Sequence, residues 1–107
     1  DRAKRPLMGE AGSAADVLIV TSDNPRNEDP NAIISEIMNG VSAPSAVAIP
    51  DRRTAIQTAV DRATDGDVIL VLGKGHERSQ EIGDRVLPFD DRLVSRTALA
   101  NRRGRSA

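Results

Sequence analysis

The chain has 107 residues, 38% hydrophobic and 29% charged, with a formal net charge of −1. That composition fits one globular domain and excludes a disordered chain, and the near-neutral charge gives no electrostatic footprint for nucleic acid or a membrane surface. With no cysteine, disulfides and zinc-thiolate sites are excluded, which fits a reducing cytoplasm. The longest apolar run, Val68 to Leu72, is five residues, too short for a transmembrane helix or a signal peptide. Phe89 is the only aromatic residue, so the core is aliphatic and alanine-rich and buries less area per residue. A core that small, a start at Asp1 without an initiator methionine, and an interior-looking "DRAKRPLMG" together predict a piece of a larger chain.

A helix is expected to open near Lys4 and Arg5. "DVLIV" at 16–20, "SAVAI" at 45–49 and "DVILVL" at 67–72 are continuous aliphatic runs of the kind that form strands covered on both faces. Between the first two, Ile33, Ile34, Ile37, Met38 and Val41 fall on one helical face. Asp29 is placed to cap that helix, Pro30 to take its first position and Gly40 to end it. In the next helix Ala55, Ile56, Ala59, Val60 and Ala63 form the apolar stripe, with Asp51 or Thr54 as cap. Asp65-Gly66-Asp67 then turns the chain into the third run.

Within "SQEIGDRVLPF", two short strands meet at Gly83-Asp84, and a last helix is expected from Asp91 to about Arg102. The basic tail "NRRGRS" reads as a solvated, frayed terminus. Alternation of helix and strand predicts an α/β fold: a Rossmann-like, mostly parallel sheet with flanking helices and the hairpin at its edge.

Ligands in such sheets bind at the carboxyl ends of the strands, where two loops carry unusual chemistry. "GKGHE" at 73–77 follows the third run. It fails the phosphate-loop pattern, because Gly75 follows Lys74 where Ser or Thr is required, and it fails GxGxxG, because Arg78 stands at the last glycine. What remains is a glycine pair, the only histidine and a carboxylate, either a solvated tight turn or a site. "DNPR" at 23–26 is satisfied as an Asx turn by Asp23, Asn24 and Pro25, which leaves Arg26 unexplained. A guanidinium grips a carboxylate or phosphate with two parallel hydrogen bonds, and Glu77 opposite it can take an ammonium group. Together they make what an amino-acid site requires.

"KRPLMG" at 4–9, "TSDNPR" at 21–26, "GDVILVLGKGHE" at 66–77 and "FDDR" at 89–92 occur in an order and spacing that resembles the C-terminal domain of a Mur ligase, over nearly the whole chain. In that family DNPR marks the members that accept meso-diaminopimelate. The resemblance implies that Asn24 and Arg26 bind this amino acid with Asp23 in the same site. It implies further contacts from Gly73 and Glu77, with Lys74 and His76 as loop support. Arg26 would then grip the distal carboxylate that lysine lacks; a buried arginine left without its carboxylate loses about 2 to 5 kcal/mol.

The implied reaction is ATP-dependent amide-bond formation on UDP-MurNAc-L-Ala-D-Glu. ATP, Mg2+ and the UDP-sugar would bind domains not represented here, so residues 1–107 are expected to be an amino-acid-binding C-terminal domain, inactive alone. By the resemblance Lys4 and Arg5 would either touch the nucleotide on closure or form a solvated helix start, and no role is assigned to Arg2. The rival readings are a ligase domain adding L-lysine or another amino acid, a free-standing amino-acid-binding module, and a purely structural domain.

Overall fold

The structure, a computed structural model, describes residues 2–25, 27–73 and 78–106, with side chains in the last helix described through 102. After a short 3-10 turn (Arg2–Lys4) the elements are α1 (Arg5–Gly12), β1 (Ile19–Val20), α2 (Pro30–Met38), β2 (Val47–Ala48), α3 (Arg52–Arg62), β3 (Ser79–Ile82), β4 (Arg85–Pro88) and α4 (Asp91–Ser106). It is a mixed α/β domain, 44 × 33 × 20 Å. β1 and β2 pair in parallel, Ile19 opposite Val47 and Val20 opposite Ala48. The Val47 amide donates to the Leu18 carbonyl and the Ile49 amide to that of Val20.

Local chemistry sets the helix boundaries where the sequence places them. Asp29 caps α2 by accepting from the Asn31 amide at 3.0 Å, and Pro30 takes the first turn, where its missing N–H costs nothing. Of the two candidates at α3, Asp51 is the cap. Its Oδ2 accepts from the Thr54 hydroxyl at 2.6 Å and the Thr54 amide at 3.0 Å, and these bonds hold its carboxyl below the usual aspartate range. At 64–67 the turn closes on itself, with the Asp67 amide donating to the Thr64 carbonyl and Gly66 supplying φ +89°. The α3 stripe packs on α4, giving a core cluster of Ile56, Val60, Phe89, Val94 and Ala98.

Three expectations need correction. The run at 67–72 is not a strand: among the described residues no ladder includes it. Its side chains face solvent, Val68 at 83%, Leu70 at 74% and Leu72 at 73% exposed. Hydrophobicity marked a segment suited to cover on both faces, but a strand exists only where a neighbour supplies its hydrogen bonds. For the same reason the hairpin is not the edge of the parallel sheet. β3 and β4 form a separate antiparallel pair, Gln80 opposite Leu87, turning at Gly83 with φ +61°. Finally, α4 does not fray near Arg102 but continues to Ser106. The Arg102 guanidinium donates to the Val60 carbonyl at 2.6 Å, and Asn101 donates to Gln57, tying the helix to α3.

On the other side of the domain, α1 and α2 approach so closely that glycine is required within α1 and just after the end of α2. A Cβ on Gly9 would overlap the Ile37 carbonyl, and one on Gly40 would overlap the Pro6 carbonyl. Gly9→Ala should therefore destabilise the fold by about 1 to 3 kcal/mol through overpacking, against the gain of about 1 kcal/mol that helix propensity alone predicts. Gly40→Ala should behave likewise. Gly12→Ala, which meets only the flexible Leu18 side chain at 3.0 Å, should be close to neutral. Urea midpoints of the three variants decide between packing and propensity.

Candidate functional site

The loop after β1 is held from three directions. From below, the Ser22 hydroxyl donates to the Pro50 carbonyl, and the Ser22 carbonyl accepts from Arg52 Nη1 at 3.1 Å. From the hairpin, Gln80 Nε2 donates to the Asp23 carbonyl at 2.9 Å, and the Glu81 amide donates to Asn24 Oδ1 at 2.9 Å. From α1, Arg5 grips Glu28 with two parallel bonds, Nη1 to Oε2 and Nη2 to Oε1, each 2.9 Å. Arg5 Nη1 also donates to Glu36 at 2.9 Å, and Arg2 donates to the same glutamate at 3.1 Å. Arg5 is thus not a solvated helix start: its side chain is 11% exposed and clamps the far end of the DNPR loop to α2.

The second loop reaches the same place. Gly73 has φ +105°, and a Cβ there would lie 3.6 Å from Asp23 Oδ2, so the start of "GKGHE" passes directly beside the aspartate of "DNPR". Leu72, the residue before it, has its carbonyl bound by Arg52 Nη2 at 3.2 Å. Asp23 and Gly73 are therefore brought side by side, with Asn24 next to Asp23 in the chain. Asn24 spends its Oδ1 on the hairpin backbone. Arg26, Lys74, His76 and Glu77 lie outside the described residues.

One group that organises the site was passed over in the sequence. Arg52 is 3% exposed, and besides the two loop carbonyls it binds Asp91, Nε to Oδ1 at 2.8 Å and Nη2 to Oδ2 at 2.6 Å. A signal was present: Arg52 is the first residue of α3, where the helix dipole disfavours a cation. An arginine kept in that position needs a partner elsewhere.

Comparison with known proteins came to the following. The family described as "Mur ligase, glutamate ligase domain" matches residues 1–75. UDP-N-acetylmuramoyl-L-alanyl-D-glutamate--2,6-diaminopimelate ligase of Geobacillus thermodenitrificans is 54% identical over 106 residues, covering 96% of this chain and 22% of that protein. The ligase of the same name from Alkalilimnicola ehrlichii is 51% identical, covering 97% and 21%. A solved structure of a ligase of that name superposes with a TM-score of 0.89 at 42% identity, covering 96% of this chain and 22% of that one. The chain thus spans about a fifth of the length of the relatives it matches.

The Arg5 clamp gives a pH prediction. Hydrogen bonds from Arg5 hold the Glu28 carboxyl below the usual glutamate range, and those from Arg5 and Arg2 do the same for Glu36. A depressed folded pKa makes the contribution complete above the unfolded glutamate value and lost as pH falls through the folded one. Carboxyl carbon shifts followed by NMR should show Glu28 and Glu36 titrating below a free glutamate. Arg5→Gln should bring both midpoints up.

Proposed function

The chain belongs to the Mur ligase family, matching its glutamate ligase domain, and we propose that residues 1–107 are the amino-acid-binding C-terminal domain of a meso-diaminopimelate-adding ligase. In the longer protein the reaction is ATP-dependent. A phosphoryl group passes from ATP to the D-glutamyl carboxylate of UDP-MurNAc-L-Ala-D-Glu, the amine of diaminopimelate attacks the acyl phosphate, and an amide forms as phosphate leaves. On this reading the protein acts in the cytoplasm, in peptidoglycan biosynthesis, and takes neither nucleic acid nor a membrane as partner. No helix among the described residues is long and apolar enough to cross a membrane.

The observation that carries the reading is the meeting of the two loops at Asp23 and Gly73, within a chain more than half identical to a ligase named for diaminopimelate. Asp23, Asn24 and Arg26 supply one side of the site, and Gly73 and Glu77 the other, with Lys74 and His76 supporting the second loop. Arg26 takes the distal carboxylate and Glu77 an ammonium group. Holding that amine beside an acyl phosphate is an orientation effect, the part of the reaction this domain contributes.

ATP and Mg2+ belong to the rest of the ligase. Among the described residues no three histidine, cysteine, aspartate or glutamate side chains gather at one place. The fold of the complete domain is read as Rossmann-like, supported by the parallel β1–β2 pair.

ADP release by the full-length protein, with ATP and the UDP-dipeptide, tests this directly. Release is expected with meso-diaminopimelate and not with L-lysine, and Arg26→Ala should lower the rate with diaminopimelate by a factor of about 100 or more. Equal release with lysine would remove the specificity reading and leave the ligase.

A further inference from the structure

We propose that Arg52, backed by Asp91, is a positioning residue that sets the spacing of the two amino-acid loops, and that its effect falls on the amino acid alone among the three substrates. The inference rests on the functional reading above and adds to it a determinant that touches no ligand.

The geometry is specific. One guanidinium, 3% exposed, binds the backbone carbonyl immediately before each loop: Ser22, which precedes Asp23, and Leu72, which precedes Gly73. Its remaining bonds go to both oxygens of Asp91, the first residue of α4. A planar fork with fixed angles between its N–H groups imposes a fixed distance between the atoms it binds. The two carbonyls are therefore held at a separation set by the guanidinium, and the guanidinium is held in turn by the carboxylate. No ladder joins segment 67–72 to β1 among the described residues, so at the Leu72 end this bridge takes the place of strand pairing.

The other end of the second loop is tied as well. Gln80 and Glu81, just beyond it, hold the Asp23 carbonyl and the Asn24 side chain. The described residues on both flanks of the second loop, Leu72 on one side and Gln80 and Glu81 on the other, are thus tied to the first loop or to the arginine that holds it. A shift of one loop against the other moves the carboxylate-binding and ammonium-binding groups apart without altering either.

The test uses the full-length enzyme with Arg52→Lys, which keeps the charge but loses the fork, and Asp91→Asn, which keeps the shape but loses the charge. Each is checked for folding by its thermal midpoint. The expected result is a KM for the amino acid raised about tenfold or more, the loss of binding expected when the groups that grip the two ends of the ligand are moved apart, while KM for ATP and for the UDP-dipeptide stays within about twofold of wild type. A folded variant with an unchanged amino-acid KM, or with all three raised together, would overturn the proposal. If neither variant folds, Gln80→Met reads the same coupling from the hairpin side, and an unchanged amino-acid KM there overturns it. Wild type turning over lysine but not diaminopimelate would defeat the substrate reading alone, and the Arg52 test would then be read with lysine.

Discussion

The buried pair of Arg52 and Asp91 is the constraint on which the rest of the arrangement depends. Removing two charges from water costs several kcal/mol per ion, and that cost is recovered only where geometry is good and the remaining donors are satisfied. Here both carboxylate oxygens accept, and the remaining described bonds of the guanidinium end on backbone carbonyls of Ser22 and Leu72. The full set of bonds is therefore complete only where α3, α4, the residues after β1 and the end of segment 67–72 converge. Lysine in its place would carry the charge but not the angles.

A second arginine does related work at the outer side of the same loop. Arg5 is drawn in from α1 by Glu28 and Glu36 and fixes the point where the loop enters α2. Its position depends on the close approach of α1 to α2, which in turn depends on Gly9 and Gly40 presenting no Cβ. A loop fixed at both ends has less conformational entropy to lose when a ligand arrives. Small residues at a helix crossing and charged residues at a loop end thus serve one purpose, a preorganised set of polar groups on a small aliphatic frame.

That frame is thin. Its core cluster lies between α3, α4 and Phe89, while the aliphatic run at 68–72 remains in water. A continuous apolar segment of that kind marks an interaction surface more often than a free one. It also explains why so much local order comes from polar ties rather than from burial.

The sequence by itself determined the local features. The caps at Asp29 and Asp51, the turns at Gly66 and Gly83, the apolar faces of α2 and α3 and the identity of the two loops follow from interactions between residues a few positions apart, and those can be read along a chain. Its family was legible too, because four motifs in fixed order leave few alternatives. What only the tertiary structure decided was pairing at long range. That Arg52 reaches Asp91, 39 positions away, that the hairpin amide of Glu81 takes Asn24, that the 3-10 turn and α1 are tied to α2 through Arg2 and Arg5, and that residues 67–72 find no ladder among the described residues depend on which groups meet in space. Hydrophobicity signals that a segment suits burial, and charge signals that a side chain needs a partner; neither specifies the partner, because that is fixed by the packing of every other element at once.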